Sequence, residues 1–278
     1  MKQLIKTVAL AILLLGSGLV SAQDLKIISF NIRYNSWNNI DGKNGWPYRK
    51  DAVVKMVEQE KPAAIGLQEA LIDQLQYLDS KLTSYRRIGV GRDDGKEAGE
   101  FMAIYYDTTQ VVLLSGETKW LSKTPDKPGK GWDAACVRTV TIAKFKVKES
   151  GKEFFYYNTH LDHVGKTARA ESTRLIVSLA KESSPDTPVI LGGDMNSTID
   201  DTIFRNLYAE GLRAARETAP KKRTDNRITY NAYGKDKRAV IDHFFVKGVK
   251  VQWFRTLDGD YGVPYISDHY PIEMTIKL

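Results

Sequence analysis

Along residues 25–32 (LKIISFNI) the apolar positions crowd together without helical spacing and the run closes on Asn31, the pattern of a short buried strand. Residues 48–62 (YRKDAVVKMVEQEKP) instead space their apolar side chains three and four apart and stop at Pro62, which predicts an amphipathic helix. AAIGLQE at 63–69 returns to a continuous apolar run and ends on Glu69, and a second helix is predicted over 70–82. FMAIYY (101–106), VRTVTIAKFKV (137–147) and EFFYYNTHL (153–161) are rich in β-branched and aromatic residues and read as strands. Glu149 to Lys152, with Gly151, should turn the second of these into the third. Residues 166–181 predict an amphipathic helix, and a short helix is expected over 198–205. VILGGD (189–194), AVIDHFFV (239–246), VKVQWFRTL (249–257) and PIEMTIKL (271–278) complete the strands. Strands and helices alternate without a repeat, a low-complexity tract or a dividing linker, so one α/β domain is expected. Several strands follow one another too closely for a crossover helix, so the sheets must be mixed or antiparallel.

The first 22 residues stand apart. Lys2 and Lys6 form a basic start, Val8 to Val20 an apolar run, and Val20-Ser21-Ala22 a small-residue cleavage pattern, so residues 1–22 read as a signal peptide and 23–278 as the mature domain. The apolar run is short of the roughly 20 residues that span a bilayer, so no stable membrane insertion is expected. The protein is expected to be exported to the periplasm or outside the cell and to act as a monomer. Losing Lys2 and Lys6 takes Lys+Arg from 41 to 39 against 34 acids, a mature net charge of about +5. A basic balance suits an anionic substrate or surface as well as it suits solubility. Cys136 is the only cysteine, which rules out an intrachain disulfide, and it is expected to be a buried small hydrophobe.

Composition leaves the chemistry open; the strand ends narrow it. Asn31 ends one strand, Glu69 another, Asn158 and His160 a third, and Asp194 and Asn196 a fourth, while Asp242 sits inside IDH and Asp268 and His269 precede the last strand. Any one of these can be a turn or cap residue. Together they would converge on one edge of a layered α/β protein, where clustered carboxylates repel one another unless a cation joins them. Carboxylate and amide oxygens without thiolates suit Mg²⁺ or Mn²⁺, with Ca²⁺ also possible, better than Zn²⁺. Such a site can polarise a phosphoryl oxygen, position a water and protonate a leaving group.

The ordered set SFNIRY, IGLQE, GEFMAIYY, NTHLDH, GGDMN, IDHFF and SDHYP, from residue 29 to 271, resembles the deoxyribonuclease I-like endonuclease/exonuclease/phosphatase superfamily. GWDAAC and NTHLDHVG look most like its secreted bacterial members, usually described only as metal-dependent hydrolases. The resemblance implies a four-layer sandwich of two packed mixed β-sheets flanked by helices, and metal-dependent hydrolysis of phosphate esters. It implies Glu69 as the chief metal ligand, supported by Asn31 and Asp268. His160 becomes a catalytic histidine oriented by Glu100, and His269 a second one paired with Asp242. Asp194 and Asn196 would orient the attacking water and stabilise the pentacoordinate phosphorus. Which histidine serves as acid and which as base stays open.

Arg138 and Asn158 are candidate substrate-binding residues; Arg138 can equally make a strand-surface ion pair, and Asn158 can pair with backbone alone. His163 is expected at the surface and Arg174 in a structural ion pair. The aromatic loop at 35–50, with Trp37, Trp46 and Tyr48, can stack on a base or sugar, though packing against its own domain is the plainer expectation. The basic segment 221–227, with Lys235, Lys237 and Arg238, is either a phosphate-facing rim or a solvated loop. The substrate expected is a phosphate ester: a nucleic acid or a phosphorylated small molecule. A lipid phosphodiesterase would need an exposed apolar hairpin, and no long one is evident. A catalytically inactive module that binds phosphorylated ligands is the alternative from another class, but no catalytic residue is missing.

Overall fold

The computed structural model describes residues 24–36, 38–183, 186–225, 227–235 and 239–278. The signal peptide expected at 1–22 lies outside the described residues, as do Trp37, Lys237 and Arg238. β1 (Leu25–Asn31) leads through α1 (Trp46–Glu60) to β2 (Ala64–Gln68), which runs parallel to β1 in a register from Ile27↔Ala64 to Asn31↔Gln68. Pro47 fits the first turn of α1, where a backbone N–H has no partner to lose, and Lys61 ends the helix in a left-handed conformation. α2 (Ile72–Lys81), β3 (Tyr85–Ile88), β4 (Ile104–Asp107) and β5 (Val111–Trp120) follow. β6 (Thr139–Val147) and β7 (Glu153–His160) form the expected hairpin, with Gly151 at φ +71° in its turn. α3 (Lys166–Ser183) then carries the chain to β8 (Val189–Asp194), parallel to β7. α4 (Arg205–Ala209), β9 (Arg213–Ala214), α5 (Ala215–Thr218), β10 (Asp242–Lys247), β11 (Lys250–Thr256) and β12 (Ile272–Lys277) complete the fold.

The strands form two six-stranded sheets, in the orders β11-β12-β1-β2-β4-β3 and β5-β6-β7-β8-β10-β9. Each sheet holds one parallel pair, the one spanned by a helix, and the remaining pairs are antiparallel. Ile27, Phe145, Phe154, Tyr156, Phe244 and Met274 fill the layer between the sheets. Val53, Val57, Leu75 and Leu78 pack α1 and α2 against the outer face of the first sheet, and Ile176 and Leu207 do so for α3 and α4 on the second. The result is a mixed α/β sandwich of four layers. Because the central strands are covered on both faces, β1, β2 and β8 read as unbroken apolar runs rather than alternating ones.

Three strands were not foreseen. β3 and β5 are edge strands whose outer residues are largely polar and partly exposed, and β9 is two residues long. The strand expected at 101–106 begins at Ile104, while Phe101 makes isolated bridges to Ala70 and Gly91. The helix expected over 198–205 starts later: a tight turn at Thr202–Phe204, capped by the Asp201 side chain, runs into α4.

Candidate active site

Both parallel pairs deliver their C-terminal strand ends to the same edge of the sandwich, the place where open α/β sheets bind ligands. In the second sheet the register sets His160 opposite Asp194 and Asp194 opposite Asp242, so adjacent strands present the three side chains in one row. In the first sheet Asn31 lies level with Gln68, one residue before Glu69. Glu69 and Asn196 both leave their strands in the left-handed region, at φ 60° and 47°, a strain of about 1 kcal/mol or more that non-glycine residues accept where a side chain must be aimed. Asp268 and His269 arrive from the loop before β12. Ser267 anchors that loop by donating its Oγ–H to the Asn31 carbonyl at 2.7 Å, and Asn231 and Ala232 donate their N–H groups to the Asp268 carbonyl. Glu69, His160, Asp194, Asn196, Asp268 and His269 line a cleft of about 470 Å³.

Hydrogen bonds join the two sheets through this cleft. The Asn31 amide nitrogen donates to Glu69 Oε1 and to Asp194 Oδ2, each at 3.0 Å, while its Oδ1 accepts from the Arg33 N–H. Asp242 Oδ2 lies 2.9 Å from His269 Nδ1, and Asp194 Oδ2 lies 3.6 Å from His269 Nε2. Burial pulls the His269 imidazole down, but Asp242 and Asp194 lift it to about 10, so it is a cation held between two carboxylates. Asp194 is pushed above the ordinary carboxylate range by burial and by Asp242, against the opposing pull of His269.

His160 differs. Burial first, then Arg138, His269, Arg92 and His163, hold its imidazole well below the usual value, so the ring is neutral. The Asn196 amide donates to the Leu161 carbonyl at 2.9 Å and lies 3.0 Å from His160 Nε2. The nitrogen of that amide therefore faces the ring, Nε2 accepts, and the proton sits on Nδ1. Nδ1 is buried and has no hydrogen-bond partner among the described residues.

Glu69 and Asp268 face each other beside Arg33, whose guanidinium stands 3.9 Å from each. The two carboxylates form an oxygen-only donor pair rich in negative charge, which fits a hard divalent cation and not a thiolate-seeking one. Burial raises the Asp268 carboxyl, and Glu69 adds to that rise, the repulsion that a cation between them would relieve. Asp194, Asp242 and His269 also bring ligand atoms within 4.8 Å of one another, but His269 there is already hydrogen-bonded as a cation, which suits proton chemistry better than metal binding.

A sequence profile of the Endonuclease/Exonuclease/phosphatase family matches residues 28–269. The chain belongs to this family. Members are phosphoesterases of the hydrolase class, generally dependent on divalent metal, and this chain is an enzyme of that class. An endonuclease/exonuclease/phosphatase from Bacteroides vulgatus is 36% identical with a TM-score of 0.86, covering 92% of this chain and 99% of that one. A mannosyl-6-phosphatase from Bacteroides thetaiotaomicron is 33% identical with a TM-score of 0.86, covering 91% of this chain and all of that one. An uncharacterised protein of Acanthamoeba polyphaga mimivirus is 24% identical over 267 residues, 89% of this chain and 98% of its own length.

Of the family residues expected from the sequence, Glu69, Glu100, Arg138, His160, Asp194, Asn196, Asp268 and His269 all line the cleft, with Asn31 and Asp242 bonded directly to them. Two roles need correction. Asn158 does not bind substrate: it is fully buried, donates to the Leu67 and Ala103 carbonyls at 2.9 Å, and accepts from Gln68 at 2.7 Å. It links the two sheets instead. Glu100 does not orient His160; it pairs with Arg92 at 2.5 Å, and burial and Glu69 push its carboxyl upward. Arg138 lies at the cleft and in a buried ion pair with Asp162, not on a strand surface. Cys136 is half-buried in the cleft wall rather than in the core.

Among the looser expectations, Arg174 pairs with Glu171 on α3, and Trp46 is buried against Tyr77 while Tyr48 is exposed. None of the described residues of the basic segment lines the catalytic cleft. Lys221 lines a separate cavity of about 390 Å³ with Arg216 and Phe254. Among the described residues no helix is long and apolar enough to cross a membrane. Sequence reasoning missed Arg33, Tyr34, Arg92 and Tyr230 in the cleft, and Asp162 behind it. Arg33 and Tyr34 lie within SFNIRY and Asp162 within NTHLDH, so their motifs were visible and their orientation was not.

Proposed function

We propose that the protein is a divalent-metal-dependent phosphoesterase that activates water with Asp194 and stabilises phosphoryl charge with His269. Glu69, Asp268 and Asn31 would hold Mg²⁺ or Mn²⁺, with Ca²⁺ also fitting the donors; bound there, the cation supplies positive charge toward a phosphoryl oxygen. Asp194, raised by burial and steadied by Asn31 and the Asn196 N–H, accepts the proton of the attacking water. The His269 imidazolium, kept charged by Asp242, faces the negative charge that develops on the phosphoryl group. Neutral His160 lines the cleft, and Asn196 holds its ring in one tautomer.

The observation that carries this reading is the chain of contacts from Glu69 through Asn31 to Asp194 and on to His269, which sets cation ligand, base and acid in one buried unit. Similarity to the mannosyl-6-phosphatase supports a phosphorylated sugar as the first substrate to try. Export after cleavage at Ala22, to the periplasm or outside the cell, accompanies this reading on the strength of the leader-like first 22 residues. The protein works as a monomer on a soluble phosphate ester. The test is turnover of sugar phosphates, inositol phosphates, DNA, RNA and sphingomyelin with Mg²⁺, Mn²⁺ or EDTA, by wild type and by Asp194→Asn. Metal-dependent turnover of at least one substrate, lost by several orders of magnitude in the variant while substrate still binds, is expected. Turnover that survives EDTA, or that Asp194→Asn retains, overturns the reading.

A further inference from the structure

Arg49, near the start of α1, is 1% exposed, and all three of its side-chain nitrogens donate to backbone carbonyls rather than to a carboxylate. Nε reaches Asn44 at 3.1 Å and Nη2 reaches Arg33 at 2.6 Å. Nη1 donates to the Ile32 carbonyl, and also to that of Ile266 at 3.2 Å. The Trp46 ring centre lies 5.2 Å from the guanidinium carbon. Burial pulls Arg49 below the usual arginine value, against weaker upward pulls from Tyr233, Asp268 and Asp41. A charge taken out of water and given only neutral partners is a poor way to stabilise a fold, because a well-packed apolar side chain often does as well. What the planar fork can do that an apolar chain cannot is hold separate backbone segments at fixed spacing.

The segments it holds are those of the cation ligands. Ile32 and Arg33 directly follow Asn31, and Ile266 stands two residues before Asp268. Arg33 has φ 57°, a left-handed conformation that a non-glycine residue keeps only where its surroundings over-determine it. Its carbonyl accepts from Arg49 and, at 3.0 Å, from Nε2 of Gln74. Gln74 is fully buried on α2, and its Oε1 accepts from the N–H groups of Asn35 at 3.0 Å and Leu71 at 3.1 Å. Leu71 lies two residues past Glu69. Two side chains from two helices, neither of which lines the cleft, therefore knit together the three segments that carry Asn31, Glu69 and Asp268.

We infer that Arg49 is the positioning residue of the cation site: it draws the backbone after Asn31 toward the backbone before Asp268, and so sets the separation at which Glu69 and Asp268 share one divalent cation. The inference rests on the phosphoesterase reading above. Gln74 does the same for the Glu69 side. The effect has a sign opposite to that of charge alone. Asp268 feels the Arg49 charge, so deleting that charge would tighten Mg²⁺ by Coulomb attraction if the guanidinium did nothing else. Losing the fork loosens it.

Calorimetry with Mg²⁺ and without substrate tests this. Arg49→Met fills much of the same space without donors, and Arg49→Lys keeps the charge on one nitrogen that cannot reach carbonyls on three segments. Both should raise the Mg²⁺ Kd about tenfold or more, as loss of groups that orient metal ligands does. Ile176→Ala, a core truncation on α3, is the control: it should lower the melting temperature and leave the Kd at the wild-type value. A Kd unchanged or tightened in the Arg49 variants, or weakened equally in Ile176→Ala, overturns the inference. Should Arg49→Met not fold, Arg49→Lys and Gln74→Leu carry the same comparison. If wild type binds neither Mg²⁺ nor Mn²⁺, the metal-dependent reading falls instead. Deuterium exchange at the Ile32, Arg33 and His269 amides then decides on Arg49: faster exchange in its variants than in Ile176→Ala shows that it seats both segments, and equal exchange denies it.

Discussion

Asn31 donates its amide to Asp194 at 3.0 Å across a separation of 163 residues, and so ties the end of β1 in one sheet to the end of β8 in the other. The other hydrogen of the same nitrogen goes to Glu69, so one small side chain sets the spacing between cation ligand and base. Asn31→Ala should therefore raise the Mg²⁺ concentration for half-maximal turnover by about 10- to 100-fold, the usual cost of losing a group that orients a metal site. A metal titration of initial rates checks it, and an unchanged midpoint would remove Asn31 from the site.

Glu69→Gln keeps shape and removes charge. Wild type should gain thermal stability when Mg²⁺ is added, about 2.7 kcal/mol at a hundredfold excess over the dissociation constant, and the variant should gain almost none. Melting curves with Mg²⁺ and with EDTA measure this without any substrate, and an equal Mg²⁺ response in both proteins would rule out Glu69 as the chief ligand.

Asp242→Asn leaves His269 a neutral partner and favours the wrong tautomer. By analogy with other carboxylate-histidine pairs, kcat should drop by up to about 10⁴ with KM little changed. Steady-state kinetics on the best substrate of the panel decide the point; a drop of less than tenfold would show that the His269 charge is not used in the reaction.

Asn158 sits close to His160 in sequence and does different work. Its loss removes three buried hydrogen bonds between the sheets, one from Gln68 and one to each of two backbone carbonyls, so Asn158→Ala should destabilise the fold by about 1–3 kcal/mol. KM should stay at the wild-type value. A raised KM with normal denaturant stability would restore Asn158 to the substrate site.

His243 is buried and donates Nε2–H to the Ser197 carbonyl at 3.0 Å, and burial holds its imidazole down at about 4 against an ordinary 6.5. Asp242 pulls it upward and Arg216 downward, both more weakly than burial. The unfolded chain takes up a proton that the folded chain refuses until about pH 4, so this contribution to stability is complete above about pH 7 and falls as pH drops through that window, by about 3 kcal/mol in all. His243→Gln, which can keep the bond to Ser197, should flatten the fall in melting temperature across the same range; an identical slope would show that His243 does not titrate there.

Strand ends were legible from the sequence because buried parallel strands write themselves as apolar runs, and an acid or amide closing such a run stands out. Asn31, Glu69, His160 and Asp194 were found in that way. Asn158 and Glu100 were misread because a polar side chain on or just before a strand looks the same whether it meets a ligand, a carbonyl on the facing sheet or an arginine eight residues upstream. β3 and β5 escaped notice because an edge strand need bury only one face, and YRRI and VVLLSGETKW carry the charge and polarity that such edges tolerate. Arg138 was foreseen at the cleft, but the partners that aim it, Asp162 and His163, belong to a turn whose hydrogen bonds only the folded chain assembles.

Each sheet owns part of the chemistry: Asn31 and Glu69 end strands of the first, and His160 and Asp194 end strands of the second. Hydrolysis thus works as a gauge of how the sheets are seated on one another. Phe244, Tyr156 and Phe154 fill the layer that sets this seating, and Gly192 lets the Phe244 ring lie against β8 where a methyl group would collide at 2.5 Å. Shaving Phe244 to leucine would let one sheet settle by a fraction of an ångström against its neighbour. The strands, helices and cleft would all persist, and the acid and the cation ligands would no longer meet across the same phosphate.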